Sequence, residues 1–339
     1  MNRTTKLSAF FSLARALGVI AALFTAGAAS ANEPASPISG ASYVGESVCL
    51  SCHQVENEHF GHTLHAKIFR QNPKNEIERQ VCEACHGPGS LHVEEERSER
   101  HSHPAAGGET LAESRSHRGD VIIGFTKESG TPVETQNAQC LSCHTGGQRI
   151  HWPGSMHDLN KMACTDCHNP MARFSGTSLL KKDSITETCQ SCHSQQRAEF
   201  RKRSHMPVSE GKMSCVDCHN PHGSPTAPLL KADSVNDVCY ACHAEKRGPF
   251  IWEHAPVREN CINCHHPHGT NHDKLLVTAR PHLCQSCHAG TNHPSAFYNS
   301  TQLGGNSAGL NSRVMGRSCQ NCHSQVHGSN HPAGARFQR

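Results

Sequence analysis

With 35% hydrophobic and 5% aromatic residues in 339, the chain has too little apolar surface for a conventional core of its length. Its formal charge of +3 falls to zero once three cations of an N-terminal leader are removed, which leaves no basic excess to recruit nucleic acid. Composition alone would describe a loop-rich or disordered chain, apart from 20 cysteines and 29 histidines.

Residues 1–31 read as a secretory signal. Arg3, Lys6 and Arg15 form the charged end, Ala16 to Ala28 is apolar, and Ala29-Ser30-Ala31 offers a cleavage site. The apolar run is too short to span a bilayer comfortably, and no later stretch is apolar enough. The expected mature chain is therefore periplasmic, cut near Ala31, with no membrane helix of its own. Residues 32–48 are a linker, rich in Pro, Ser and Gly.

Ten Cys-x-x-Cys-His motifs follow. In order they are Cys49, Cys52, His53; Cys82, Cys85, His86; Cys140, Cys143, His144; Cys164, Cys167, His168; and Cys189, Cys192, His193. The second five are Cys215, Cys218, His219; Cys239, Cys242, His243; Cys261, Cys264, His265; Cys284, Cys287, His288; and Cys319, Cys322, His323. After the first motif a His-rich helix is expected over His59 to Arg70. The second runs into Gly87-Pro88-Gly89 and a polar excursion, about residues 93–139, which contains Glu94-Glu95-Glu96 and His101-Ser102-His103 and reads as a solvated surface loop. From Cys140 the motifs crowd together, with a short helix expected over Gln195 to Arg203. The stretch Cys164 to His205, with two motifs around Leu179-Leu180-Lys181 and Asp183-Ser184, recurs about fifty residues later from Cys215 to His254, and more loosely from Cys261 to His293. A Gly/Asn/Ser loop, Gly304 to Asn311, precedes the tenth motif.

The motifs use every cysteine. Two thiols three residues apart reach the two vinyl groups on one porphyrin edge as thioethers, and the adjacent histidine ligates the iron from below. Structural zinc would not demand a histidine after every second cysteine. Disulfides between such close cysteines are poor staples, and thioredoxin-like motifs come singly beside a βαβ pattern that is missing here. The expectation is ten covalently bound haem c groups that serve as the apolar core, with the apo-chain largely unfolded. The fold class is mostly irregular with short α-helices and almost no β-structure: a multihaem cytochrome c drawn out as an elongated haem wire. At −1 for each oxidised haem, the loaded mature protein carries a charge of about −10.

Nineteen histidines lie outside the motifs. His65, His157, His205 and His254 follow a proximal histidine by 11 to 13 residues, while His92, His222, His268, His293 and His327 follow more closely. With His331 the candidate distal ligands number ten; spacing alone does not say which serves which iron. The fourth motif departs, because His168-Asn-Pro leads to Met171. A His/Met site of raised potential is the alternative there. The closed count of ten histidines favours a packing role for Met171 instead. Two imidazoles on every iron leave no position for substrate, so the chemistry is electron transfer and not catalysis. A multihaem oxidoreductase would need an open iron, commonly with lysine in place of a proximal histidine, and all ten motifs carry histidine.

Three longer strings are more specific than any single motif. They are Cys218-His219-Asn-Pro-His222-Gly; His243-Ala-Glu-Lys-Arg-Gly-Pro with Trp252-Glu-His254-Ala-Pro-Val; and Cys322-His323-Ser-Gln-Val-His327-Gly-Ser-Asn-His331-Pro. In these the chain, from about Val48 to Arg339, resembles the decahaem c-type cytochromes of outer-membrane electron conduits, the MtrA/DmsE type, to which PioA is related. The resemblance implies two pentahaem halves, residues 49–210 and 211–339, and histidine on both faces of every haem. It also implies an outer-membrane β-barrel partner. An extracellular multihaem cytochrome or terminal reductase is expected beyond it, and a periplasmic or inner-membrane cytochrome at the other end. A soluble periplasmic shuttle is the alternative. The polar stretch after His92 departs from the family pattern.

Overall fold

The computed structural model describes residues 38–102, 120–288 and 319–338, the side chains of 100–102 excepted. The expected signal peptide, the start of the linker, His103, His117, His293 and the loop at 304–311 lie outside the described residues. Among the described residues the α-helices run from four to thirteen residues, there is no strand, and pairing is confined to isolated bridges. This is the mostly irregular, short-helix fold that the sequence implies. No described helix is long and apolar enough to cross a membrane.

Polar side chains set where the helices start and stop. The single helix expected over 59–70 is two, Gln54–Gly61 and Leu64–Gln71, because Thr63 is extended and its Oγ1 accepts the Ala66 N–H at 3.2 Å. The helix expected to reach Arg203 ends sooner, as Ser194–Glu199. Beyond it Ser204 exchanges backbone hydrogen bonds with Thr270, at 3.0 and 2.8 Å. Ser184 and Ser234, the serines of the repeat, accept N–H groups from Glu187 and Asp237. They thereby cap the helices Ile185–Gln190 and Val235–Tyr240, which carry Cys189 and Cys239.

The repeated leucine pair is a clamp. Leu179, Leu229 and Leu275 all have left-handed backbone, with φ of 52°, 61° and 58°, a conformation that costs a bulky residue energy and marks a constrained turn. That turn aims each carbonyl at the residue after a motif histidine: Asn169, Asn220 and His266 donate to it at 2.6 to 2.7 Å. The second leucine of each pair, Leu180, Leu230 or Leu276, is buried and bridges back to His168, His219 or His265.

Apolar burial is sparse. One cluster joins Phe60, Ala66 and Val81, with Phe69, Cys82 and Met171 packed against it. The polar excursion is not merely a solvated loop. It returns at Ile123, which is 1% exposed, donates its N–H to the His86 carbonyl and accepts from His86 Nδ1 at 2.8 Å. Burial of one isoleucine outweighs the polarity of its neighbours at that point.

Candidate haem-binding sites

Consecutive motifs are neighbours. The first cysteines of consecutive motifs lie side by side in pairs, Cys49 with Cys82, Cys140 with Cys164, Cys189 with Cys215, Cys239 with Cys261, and Cys284 with Cys319, each thiol close enough to perturb the other. These join sites one to two, three to four, five to six, seven to eight and nine to ten by their first cysteines. The second cysteines close the remaining steps: Cys85 with Cys143, Cys167 with Cys192, Cys218 with Cys242, and Cys264 with Cys287 are within electrostatic reach. Thus the motifs neighbour one another in sequence order, alternately by one cysteine and then the other. Buried Asn137 and Asn236 reinforce two of these joints by accepting the Cys164 and Cys261 N–H groups, at 2.8 and 2.7 Å.

Motif histidines face the spacing-selected ones. Seven such pairs have ring centroids 5.9 to 6.2 Å apart: His53 with His92, His144 with His65, His168 with His222, His193 with His157, His219 with His268, His265 with His327, and His288 with His254. Two metal–imidazole bonds of about 2.0 Å, with about 1.15 Å from each nitrogen to its ring centre, would set the centroids about 6.3 Å apart. The observed gaps therefore fit an iron held between two imidazoles.

Ring orientation fits as well. Nδ1 donates to a backbone carbonyl in His86 (Ile123), His157 (Pro221), His168 (Ser178), His219 (Pro228), His254 (Val326) and His265 (Lys274), at 2.7 to 2.9 Å. A proton fixed on Nδ1 leaves the Nε2 lone pair for a metal. Burial holds His65, His86, His268 and His327 below the ordinary histidine range, and pushes His222 down to about 4, with His168 beside it as a second cause. These imidazoles are neutral at ordinary pH, the form that ligates.

Three sequence-selected histidines stand apart. His293 lies outside the described residues. His205 donates from Nδ1 to the Lys202 carbonyl and meets Glu210 through Nε2 at 2.9 Å, a contact that raises its pKa. His331 accepts the Ala333 N–H on Nδ1 at 3.1 Å and faces no imidazole among the described residues. Sequence reasoning also missed Glu199, buried beside His268, with Oε2 3.5 Å from its Nδ1. No local pattern could have flagged it, because Glu199 and His268 are 69 residues apart and meet where the Ser204–Thr270 bridge and the Phe200–His268 contact join their segments.

The doubled CXXCH motif family matches residues 157–198, 205–248 and 254–293, and each match opens on a spacing-selected histidine. The family of NrfB-like cytochrome c-type proteins matches residues 107–175. Over 298 residues, 87% of this chain and 81% of the other, the chain is 43% identical to the multihaem cytochrome MtrA of Shewanella baltica (strain OS185).

Proposed function

The chain belongs to the MtrA family of multihaem cytochromes, and on that premise we propose that it carries electrons across the outer membrane on ten covalently bound haem c groups, through a β-barrel partner. The observation that carries this reading is the row of seven motif histidines that each face a second imidazole, with ring centroids 5.9 to 6.2 Å apart. Haem c supplies reversible one-electron chemistry when bound. The cysteines fix the order of the sites and facing imidazoles close both axial positions at the paired sites, which supports an electron-transfer protein with no place for substrate there.

The second ligands interleave, an order that fits six of the seven pairs, while the first site takes His92 from its neighbour. An odd-numbered site from the third onward takes the histidine that follows the site two before it: His144 takes His65, His193 takes His157 and His288 takes His254. An even-numbered site takes the histidine that follows the site two after it: His168 takes His222, His219 takes His268 and His265 takes His327. By the same rule His243 takes His205, which must leave Glu210; no site lies two beyond His323, so we assign it His293 from the adjacent site, as His53 takes His92. Each haem is thereby clasped by segments far apart in sequence, and the whole chain sets with haem incorporation.

At the ends, a periplasmic or inner-membrane cytochrome exchanges electrons on one side, and an extracellular cytochrome, reductase or metal on the other. The protein purified from its native host should carry the mass of ten haems, show low-spin iron throughout in low-temperature EPR, and copurify with a β-barrel from outer-membrane extracts. A substantial high-spin signal would favour catalysis. Recovery only from the periplasm, free of a barrel, would favour a soluble shuttle.

A further inference from the structure

The interleaved order leaves the second site, His86, without an imidazole, and it points at one residue. Even-numbered sites draw their ligand from three or four residues past the motif histidine two sites on: His222 after His219, His268 after His265, His327 after His323. For the second site that place, three past His168, is Met171.

The backbone around Met171 is that of the ligand turns. Asn169 donates to Leu179 O at 2.6 Å as Asn220 does to Leu229 O at 2.7 Å. Met171 N–H donates to Asn169 Oδ1 at 3.0 Å as His222 N–H does to Asn220 Oδ1 at 3.2 Å. Met171 also has the right neighbours. It packs against the Phe60, Ala66 and Val81 cluster, and so does Cys82, the first cysteine of the second site. Ala66 adjoins His65, the ligand expected for the third site. In the same way His157 and His254 donate to Pro221 and Val326, the residues just before His222 and His327. On the other side His86 is anchored through Nδ1 to Ile123 and meets the edge of Phe125 at 5.2 Å, while the two imidazoles within electrostatic reach of it, His53 and His92, face each other.

His331, the tenth histidine by count, is built differently. Its Nδ1 accepts a hydrogen bond, so in the neutral ring the proton sits on Nε2, the nitrogen a ligand would need bare.

We infer that the thioether of Met171 is the second axial ligand opposite His86, making the second haem a His/Met site in a chain of His/His sites. This rests on the ten-haem reading above. A thioether favours ferrous iron more than an imidazole does, so this haem has the highest potential and holds an electron one step from the end of the chain.

The test uses full-length protein matured with haem. The oxidised wild type should show one near-infrared charge-transfer component of sulfur–iron coordination among nine of bis-imidazole type. Met171→Ala should abolish it and turn one haem high-spin. Met171→His should convert it to bis-imidazole and remove the highest-potential step of a redox titration. His331→Ala and His117→Ala should leave every band in place. With ten haems confirmed by mass, absence of the sulfur band, its survival in Met171→Ala, or its replacement by high-spin iron in either histidine variant overturns the assignment alone. A mass short of ten haems would overturn the parent reading, and this inference with it.

Discussion

Gly223, directly after His222, gives the sharpest mechanical test of how the ligand turns are held. Its φ is +108°, and a Cβ added there would lie 2.0 Å from the His151 carbonyl oxygen and 2.5 Å from the carbonyl carbon. Those are backbone atoms, which cannot swing aside as a side-chain tip can. Gly223→Ala adds about 1–2 kcal/mol for the left-handed backbone and about 1–3 kcal/mol for overpacking. To restore ordinary contact the turn must back away by more than about 1 Å, and a metal–imidazole bond of about 2 Å does not survive that retreat. The expected result is one haem turned high-spin in EPR, with thermal stability lowered. Gly211→Ala is the control: φ there is +67°, with no atom within 4 Å of the new Cβ, so it carries the backbone cost without the collision. Equal stability of the two variants, with every haem still low-spin in Gly223→Ala, would refute the account.

Glu199 should tune the site of His219 and His268, because its carboxylate stands 3.5 Å from His268 Nδ1, where His157 and His254 meet a carbonyl instead. Exchanging a charged partner for a neutral one is worth about 1 kcal/mol. Glu199→Gln should therefore raise one haem potential by about 40 mV in a spectroelectrochemical titration; an unshifted titration would count against it. Asn236→Ala removes the acceptor of the Cys261 N–H and two donor contacts, to Val257 O and Arg258 O, each at 3.0 Å. With buried groups left unsatisfied, denaturant unfolding should show a loss of about 2–4 kcal/mol. Protein expressed without haem attachment should have little cooperative structure by circular dichroism, because apolar burial among the described residues is confined to small clusters. A cooperative melt of that apo-chain would contradict a haem-built core.

What the sequence reveals and what it hides follow from one distinction. Haem attachment is a contact between residues three and four apart, so it can be read directly from spacing, and the short capped helices that carry Cys189 and Cys239 follow from Ser184 and Ser234 in the same local way. Axial closure joins residues far apart. His265 meets His327 from the other side of the ninth motif, and His144 meets His65 across the polar excursion. Spacing can therefore nominate the second ligands but cannot pair them. The Leu179, Leu229 and Leu275 turns occupy a middle ground: the repeat marks the leucines, but their left-handed backbone and clamped carbonyls appear only in three dimensions. Counting histidines treats every imidazole as equivalent, whereas the fold does not. His331 completes the count of ten but has its Nδ1 turned to its own backbone, and Met171, which the count dismisses, occupies a ligand turn that packs on the same apolar cluster as Cys82. Position in the repeat outranks residue type here, because the backbone scaffold that delivers a ligand is set by Asn169 and Leu179 before the side chain at 171 has any say.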